Sequence, residues 1–320
     1  MFDLIIIGGS AAAATAGVYA ARRGLNFKII TKEFGGEVAT SGEIENWPGV
    51  VHTDGLTLAD QFKAHLASYH VTPEEGVSVS SVSKQPDGMF CISVNQDGET
   101  MAADKLKESP EVHKCDYVAK SVIVATGVHP RLLNVPGEKE FRNKGVTYCT
   151  TCDGPLFQGK ATTVIGGGNS ALEAGLMLSD IASQVYVVNK NPMFKGEKIL
   201  IDNLSAKKNV RIIYGAMTTE ILGEQFVTAI HYTDKDGKTQ ELKTDGVFIH
   251  AGMIPNSDLV GPELAKSKFG EIIVDANCAT NVAGLFAAGD VTTVPFKQIV
   301  IAAGQGCIAA LSAVQYLNTL

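Results

Sequence analysis

Two cysteines lie three positions apart near the middle of the chain, in the sequence Cys149-Thr150-Thr151-Cys152, and Asp153 follows directly. Cysteines at this spacing can form a small disulfide ring, and the local environment of such a pair favours the thiolate of one member. A neighbouring carboxyl group could give a proton to the thiolate that is released on reduction. The alternative role for Asp153 is a helix cap or a turn residue. The pattern predicts a redox-active disulfide.

The same spacing could supply half of a structural zinc site, which would need two more ligands. The other four cysteines are solitary in the sequence, and the seven histidines form no HxxH or HExxH pattern. We therefore favour redox chemistry and expect no metal. We interpret Cys91, Cys115, Cys278 and Cys307 as small, buried apolar residues. So few cysteines suit a reducing cytoplasm.

The N-terminal sequence predicts a buried strand, a glycine-rich turn and a helix of small residues. A dinucleotide-binding turn needs glycines where the backbone bends tightly and approaches a pyrophosphate, and a small residue where the helix packs on the strand. Gly8 and Ala13 fit these positions, whereas Ser10 stands where a glycine is usual. Glu33 follows about 20 residues later, where an acid commonly binds a ribose hydroxyl. Taken alone, this turn would also suit an ordinary strand–helix connection.

A second strand–turn–helix pattern near the middle of the chain matches the dinucleotide signature completely. Gly166, Gly168 and Ala171 occupy its three positions, after a predicted strand and at the start of a predicted helix. Two such units in one chain indicate two nucleotide cofactors, for instance a flavin dinucleotide and a nicotinamide dinucleotide.

The composition of the chain limits the number of domains and disfavours several classes of protein. The length of 320 residues suggests about two domains. The 27 Lys and Arg residues are outnumbered by 34 Asp and Glu residues, which disfavours nucleic-acid binding. The most apolar stretch, 298–317, is interrupted by Gly304-Gln305-Gly306, so we expect no membrane span. The N-terminus has no basic region before its apolar run, so we expect no signal peptide.

Several motifs in a fixed order resemble those of the low-molecular-weight thioredoxin reductases, which belong to the flavoprotein disulfide reductase class. Besides the first glycine turn, they are IENWPG (44–49), VIVATG (122–127), CTTCDG (149–154), GGGNSALEA (166–174) and GLFAAGD (284–290). The chain is also similar to the C-terminal flavoprotein part of alkyl hydroperoxide reductase. That protein carries an additional N-terminal disulfide-bearing domain. Because this chain starts at the flavin strand, we interpret it as a stand-alone reductase.

The resemblance covers essentially the whole chain and implies an α/β fold. Two Rossmann-like dinucleotide-binding domains of the three-layer ββα type are expected, the second inserted in the first. Residues 1–128 and 248–320 would form the FAD-binding domain, and residues 129–247 the domain for the pyridine nucleotide and the redox disulfide. Members of the family are homodimers, and their inserted domain rotates to present either the disulfide or the nicotinamide to the flavin.

The resemblance also implies the residues of each site. The FAD contacts would be Gly8, Ser10, Ala13, Glu33, Gly36, Glu37, Asn46, Gly127, Asp290 and Gln298. The pyridine-nucleotide contacts would be Gly166, Gly168, Asn169, Ser170, Ala171, Lys190 and Lys195. Glu37 stands where the family usually has glutamine, so a carboxylate is expected near the flavin.

The same resemblance implies an electron path. Electrons would pass from the reduced nicotinamide through FAD to the Cys149–Cys152 disulfide, and then to thioredoxin or a thioredoxin-like disulfide protein. Cys149 would be the exposed attacking thiol, Cys152 would lie next to the flavin, and Asp153 would donate the proton. A carrier protein of a peroxiredoxin system is the alternative substrate, and a redox-silent flavin-binding protein is the alternative of another class.

The electron donor is the point at which this sequence departs from the family. NADPH-dependent members bind the 2′-phosphate with a His-Arg-Arg motif and one further arginine, through bidentate bonds. Here residues 189–195 read NKNPMFK, with Lys190 and Lys195 but no arginine. An NADH site would place an acid at the strand end, where Asn189 stands, and Glu197 is too far along the sequence. We expect NADPH, with NADH or a non-nicotinamide donor as alternatives.

Overall fold

The computed structural model describes residues 1–41, 43–96 and 115–320. The chain forms two units, one comprising Met1–His129 and Ile254–Leu320 and the other Pro130–Met253. The second unit is thus inserted in the first, within limits of 130 and 253 where the resemblance implies 129 and 247. The predicted α/β class with two Rossmann-like domains is confirmed.

Eighteen strands are present in the described residues. They are β1 (Phe2–Ile7), β2 (Phe27–Ile30), β3 (Glu43–Ile44), β4 (Thr53–Asp54), β5 (Val77–Lys84), β6 (Phe90–Gln96), β7 (Tyr117–Val124), β8 (Val128–Pro130), β9 (Val146–Thr147), β10 (Ala161–Ile165), β11 (Gln184–Asn189), β12 (Val210–Tyr214), β13 (Met217–Gly223), β14 (Val227–Thr233), β15 (Thr239–Lys243), β16 (Gly246–Ile249), β17 (Met253–Pro255) and β18 (Leu285–Ala287). The chain passes between the units within β8 and at β17.

The same residues contain seven α-helices. They are α1 (Ala11–Arg22), α2 (Gly36–Ala39), α3 (Gly55–Ser68), α4 (Thr150–Asp153), α5 (Asn169–Ser179), α6 (Lys198–Ser205) and α7 (Ile299–Leu317). A short 3₁₀-helix, Gly154–Phe157, continues α4.

The first unit is built on a six-stranded sheet in the order β2-β1-β7-β6-β5, with β18 also paired to β7. The unbroken apolar run of β1 is typical of a strand that is buried on both faces, and Leu4, Ile5 and Ile6 are fully buried. The parallel register aligns Ile7 with Val124, and Val124 with Ala287. The carboxyl ends of β1, β7 and β18 therefore lie at one edge of the sheet.

Helices α1 and α7 pack closely in the first unit because both present small side chains. A side chain at Gly306 would overlap the carbonyl oxygen of Ala12, and Ala13 and Ala309 are completely buried in the shared core. Among the described residues, α7 is the one helix whose length and composition would also allow it to cross a membrane. Its glycine and alanine face packs against α1 here.

The second unit contains a five-stranded parallel sheet in the order β12-β11-β10-β16-β9 and a three-stranded antiparallel sheet, β13-β14-β15. The register aligns Ile165 of β10 with Val188 of β11 and with Ile249 of β16. Residues that directly follow these positions consequently meet at one edge of the sheet. This edge carries the second glycine turn.

The first unit also contains a disulfide between Cys91 and Cys115, with their Cα atoms 5.2 Å apart. The interpretation of these two cysteines as unpaired apolar residues is therefore wrong, and Cys115 is exposed rather than buried. Antiparallel pairing of β6 with β7 returns the chain beside Cys91, a relationship that sequence spacing does not reveal. Cys278 is buried, as predicted, and Cys307 is half-buried.

Candidate redox and nucleotide sites

The CxxC motif forms the start of a short helix in the second unit. Cys149 is the N-cap of α4, and its Sγ accepts a hydrogen bond of 3.2 Å from the backbone N–H of Cys152. One helical turn brings residues i and i+3 to the same side. The two cysteines form a disulfide with Cα atoms 5.3 Å apart. Both are half-buried, so the structure forms the predicted pair at a partly accessible position.

Asp153 lies at the end of α4 and accepts a hydrogen bond from the hydroxyl of Thr147, the last residue of β9. Burial raises the pKa of the Asp153 carboxyl, and the Thr147 hydrogen bond partly opposes this effect. A carboxyl group with a raised pKa keeps its proton to higher pH than an exposed aspartate. This property suits a proton donor beside a disulfide.

His250, which lies outside the site residues predicted from the sequence, contacts the redox helix from the end of β16. Its Nε2 lies 2.7 Å from the hydroxyl oxygen of Thr150, the residue that follows Cys149. Burial lowers the pKa of the His250 imidazole to about 4, so the ring is neutral at pH 7. No signal in the sequence could have found this residue, because its partner lies 100 residues earlier.

The second glycine turn has the steric properties of a dinucleotide-binding turn. A Cβ atom at Gly166 would lie 2.5 Å from the carbonyl oxygen of His250, and one at Gly167 would lie 2.5 Å from Oδ1 of Asn189. A Cβ atom at Gly168 would meet nothing within 4 Å. Gly166 and Gly167 are thus required by packing, whereas Gly168 borders open space that a phosphate could enter. Ala171 is completely buried, as helix–strand packing requires.

The loop after β11 is held by Asn189, whose exposed fraction is 1%. Its Nδ2 donates to the carbonyl oxygen of Met193 at 3.0 Å, and its Oδ1 accepts from the backbone N–H of Asn191 at 3.0 Å. The backbone N–H of Lys195 donates to the carbonyl oxygen of Gly167 at 2.8 Å. This bond places the Lys195 backbone beside the glycine turn. The side chains of Lys190 and Lys195 are exposed.

The fold also brings Glu197 back to the glycine turn, although it is distant in sequence. Asn169, the first residue of α5, donates from Nδ2 to Oε1 of Glu197 at 3.0 Å and accepts from the Glu197 backbone N–H at 2.8 Å. Glu197 therefore borders the start of α5, although it lies eight residues past Asn189, the last residue of β11, in the sequence. Ser170 is exposed at the start of α5.

The first glycine turn is equally close-packed. Gly8 has a φ of +132°, and a side chain there would overlap the carbonyl oxygen of Ala125. A Cβ atom at Gly9, a position not selected from the sequence, would lie 2.5 Å from the Thr31 hydroxyl. Ser10 is the N-cap of α1, yet its side chain makes no capping hydrogen bond. Ala13 is completely buried.

Two pairs of predicted flavin residues lie close together in the first unit. A Cβ atom at Gly36 would lie 3.3 Å from the Cβ of Ser10. Asn46 Nδ2 lies 3.4 Å from Oε1 of Gln298, the N-cap of α7.

Hydrogen bonds hold the backbones of two further predicted flavin residues. The carbonyl oxygen of Glu33 accepts from the Thr31 hydroxyl at 2.8 Å, and that of Gly127 accepts from the Asn256 N–H at 3.0 Å. A Cβ atom at Gly9 would lie 2.9 Å from the carbonyl oxygen of Glu33, so the Glu33 backbone borders the first glycine turn.

Asp290 has a carboxyl group with one buried oxygen in the first unit. Its Oδ1 is buried and has no hydrogen-bond partner among the residues that the structure describes. Burial raises the pKa of the Asp290 carboxyl to about 6; Lys297 opposes the rise and the nearby Glu37 carboxylate adds to it. A buried acceptor without a donor is costly. A ligand hydroxyl would satisfy it, and a flavin dinucleotide carries ribityl and ribose hydroxyls, so these residues fit FAD.

Known proteins with strong similarity to this chain include the following three. A component of the alkyl hydroperoxide reductase of Escherichia coli (strain K12) is 41% identical over 320 residues, which cover 99% of this chain and 58% of that protein. A protein named NADH dehydrogenase from Bacillus subtilis (strain 168) is 38% identical over 317 residues, with 99% and 58% covered. Thioredoxin reductase from Streptococcus pyogenes MGAS5005 superposes with a TM-score of 0.88 at 32% identity, covering 100% and 99% of the two chains.

These similarities agree with the geometry, and the resemblance to thioredoxin reductases and to the flavoprotein part of alkyl hydroperoxide reductase is confirmed. The chain spans 58% of the length of the first of these relatives. The family model described as pyridine nucleotide-disulphide oxidoreductase matches residues 2–306. This match, together with two glycine turns and a CxxC disulfide, shows that the chain belongs to the pyridine nucleotide-disulphide oxidoreductase family.

Proposed function

We propose that this chain is an FAD-dependent reductase that passes electrons from a reduced pyridine nucleotide through its Cys149–Cys152 disulfide to thioredoxin or a thioredoxin-like disulfide protein. One observation carries the proposal. The CxxC pair is half-buried on a helix whose residue Thr150 is bonded to His250, and the carbonyl oxygen of His250 packs against Gly166 of a dinucleotide turn.

The residues of the second unit account for the exchange chemistry. FAD, when bound, would supply hydride chemistry: it would take one hydride from the nicotinamide and make its two electrons available to one disulfide. Cys149 attacks a sulfur of the partner disulfide and forms a mixed disulfide, and the partner's second sulfur leaves as a thiolate. Cys152 then attacks Cys149, which re-forms the ring and releases the reduced partner. Asp153 gives its proton to the thiolate formed when the ring opens.

We propose NADPH as the donor, supported by the charges around the loop after β11. Lys190 and Lys195 are exposed cations close to the strand end and the glycine turn, where they would attract a 2′-phosphate as point charges. The side chain of Asn189 is occupied in holding its own loop. NADH remains the competing donor, since one relative bears the name NADH dehydrogenase.

Anaerobic titration of the visible flavin band with NADPH and NADH in parallel tests this proposal. Bleaching by one nucleotide at lower concentration identifies the donor. Lys190→Ala combined with Lys195→Ala should raise the KM for NADPH and leave that for NADH nearly unchanged. Lys198→Ala is the matched control, since Lys198 is exposed on α6 and pairs with Asp202. Bleaching by dithionite alone, with neither nucleotide effective, would overturn the nicotinamide proposal.

A second candidate substrate is the disulfide carrier of a peroxide-reducing system. The supporting observation is the 41% identity to a component of alkyl hydroperoxide reductase across 99% of this chain. Reduction of a separately expressed carrier domain, without reduction of thioredoxin, would select this function. Reduction of thioredoxin alone would exclude it.

We also propose that the chain acts as a homodimer in the cytoplasm. Val300 and Ile308 on α7 are 45% and 40% exposed, and apolar side chains of this kind are commonly covered by a second subunit. Sedimentation of the flavin-loaded protein tests the dimer, and fractionation of the producing cells tests the location.

A further inference from the structure

The disulfide of the first unit differs from the CxxC pair in the exposure of its two sulfur-bearing residues. Cys91 lies within β6 and is 2% exposed, whereas Cys115 lies just before β7 and is exposed. Reagents in solution can therefore reach Cys115 but not Cys91. The half-buried Cys149 and Cys152 show no such contrast.

The two cysteines are held together by contacts that do not depend on the bond between them. The backbone N–H of Asp116 donates to the carbonyl oxygen of Ile92 at 3.0 Å, and the Asp116 carboxylate accepts from the backbone N–H of Val94 at 3.0 Å. These bonds extend the β6–β7 ladder to the residue after Cys115. The reduced thiols would consequently remain neighbours, which gives each a high effective concentration towards the other.

We propose that Cys91 and Cys115 form a second dithiol–disulfide site, which reacts with low-molecular-weight disulfides of the glutathione class through Cys115 and is resolved by Cys91. In the first step the Cys115 thiolate attacks oxidised glutathione, forms a Cys115–glutathione mixed disulfide and releases one glutathione thiolate. In the second step Cys91, having lost its proton to solvent, attacks the Cys115 sulfur and releases the second glutathione thiolate. The two protein thiols are oxidised and one glutathione disulfide is reduced to two thiols.

The order in which the two cysteines react follows from their different exposure to solvent. An incoming disulfide must approach the attacking sulfur closely, and burial denies this approach to Cys91. The resolving step is intramolecular and needs only proton loss from Cys91, not the approach of a second disulfide reagent to that residue. Reduction by excess glutathione follows the same path in reverse, with attack at Cys115. This proposal is independent of the nucleotide donor and of the protein substrate.

The test uses the full flavin-loaded chain with Cys149→Ser and Cys152→Ser, so that the CxxC pair cannot contribute. This parent protein is compared with the same protein carrying Cys91→Ala or Cys115→Ala. Each is reduced, freed of reductant, treated with oxidised glutathione, quenched in acid and mapped by mass spectrometry of its peptides. Cys278 and Cys307 are present in all three proteins and supply a common background.

The parent should yield linked Cys91 and Cys115 peptides without retained glutathione at either residue. The Cys91→Ala protein should retain glutathione at Cys115, at least about tenfold more than the Cys115→Ala protein retains at Cys91. Absence of the linked peptides, or a smaller difference between the two variants, would overturn the proposal. Flavin content checks folding, and Cys91→Ser replaces Cys91→Ala if the latter loses flavin.

Discussion

The imidazole Nε2 of His250 and the hydroxyl oxygen of Thr150 lie 2.7 Å apart. This bond joins the residue after β16 to the first turn of the redox helix. The backbone N–H of the same histidine donates to the carbonyl oxygen of Ile165 at 2.8 Å, directly before the second glycine turn. One residue therefore contacts both the end of β10 and the helix that carries Cys149 and Cys152.

Loss of either partner of this bond should destabilise the protein. His250→Ala and Thr150→Val should each lower the free energy of unfolding by about 1–3 kcal/mol, because each leaves a buried polar group unpaired or absent. The double variant should cost less than the sum of the single variants, since the two residues share one interaction. Urea denaturation of all four proteins measures this coupling, and strict additivity would contradict it.

The buried imidazole should also make stability depend on pH. The pKa of His250 is lowered to about 4 by burial, against 6.5 for an exposed histidine. The contribution of His250 to the free energy of unfolding is fully present above pH 6.5 and is lost as the pH falls through 4, because the unfolded chain binds the proton more readily. Between pH 7 and 4, the wild type should lose about 3 kcal/mol more than His250→Gln. Parallel curves for the two proteins would refute this assignment.

Asp290 should show the opposite trend in the flavin-free protein. Its pKa is raised to about 6 by burial, against 3.8 for an exposed aspartate. The contribution of Asp290 to the free energy of unfolding is present below pH 3.8 and is lost as the pH rises through 6, since the folded form must then bury a charge. Asp290→Asn should remove a loss of about 3 kcal/mol. Thermal or urea unfolding of the apoprotein from pH 4 to 7 measures this loss of stability. Glu37→Gln should lower the pH at which the loss occurs, because the Glu37 carboxylate helps to raise the pKa of Asp290.

Substitutions at the redox helix should separate flavin reduction from disulfide exchange. Cys149→Ser should abolish turnover of the protein disulfide while the flavin band still bleaches with the nucleotide. Asp153→Asn should lower kcat by roughly 10²–10⁴, the usual contribution of a positioned proton donor. Thioredoxin reduction and flavin absorbance, followed on the same samples, provide both readings. Full turnover by Cys149→Ser would exclude the proposed path.

The Cys91–Cys115 bond should stabilise the first unit. It closes a loop over a sequence separation of 24 residues, and restriction of the unfolded chain predicts a stabilisation of roughly 3 kcal/mol. The measurement compares unfolding of the Cys149→Ser, Cys152→Ser protein with and without reductant. Cys115→Ala in the same background should show no response to the reductant. Equal stabilities in both conditions would argue against a bond in the folded protein.

The sequence by itself determined the features that depend on neighbouring residues. The spacing of Cys149 and Cys152 predicts a disulfide ring because one helical turn separates them. The glycines at 8, 166 and 168 predict tight strand–helix turns because other residues would clash or crowd a phosphate. The alternation and apolar runs predict the strands, and the order of motifs predicts two dinucleotide-binding domains.

Tertiary structure alone decided which distant residues meet. The register of β16 beside β10 brings His250 to Thr150, the return of the chain along β7 brings Cys115 to Cys91, and the loop after β11 brings Glu197 to the glycine turn. Local patterns fix the type of each element, but the pairing of strands is settled by burial of the whole core. Contacts between the ends of paired strands therefore emerge only when the fold is complete.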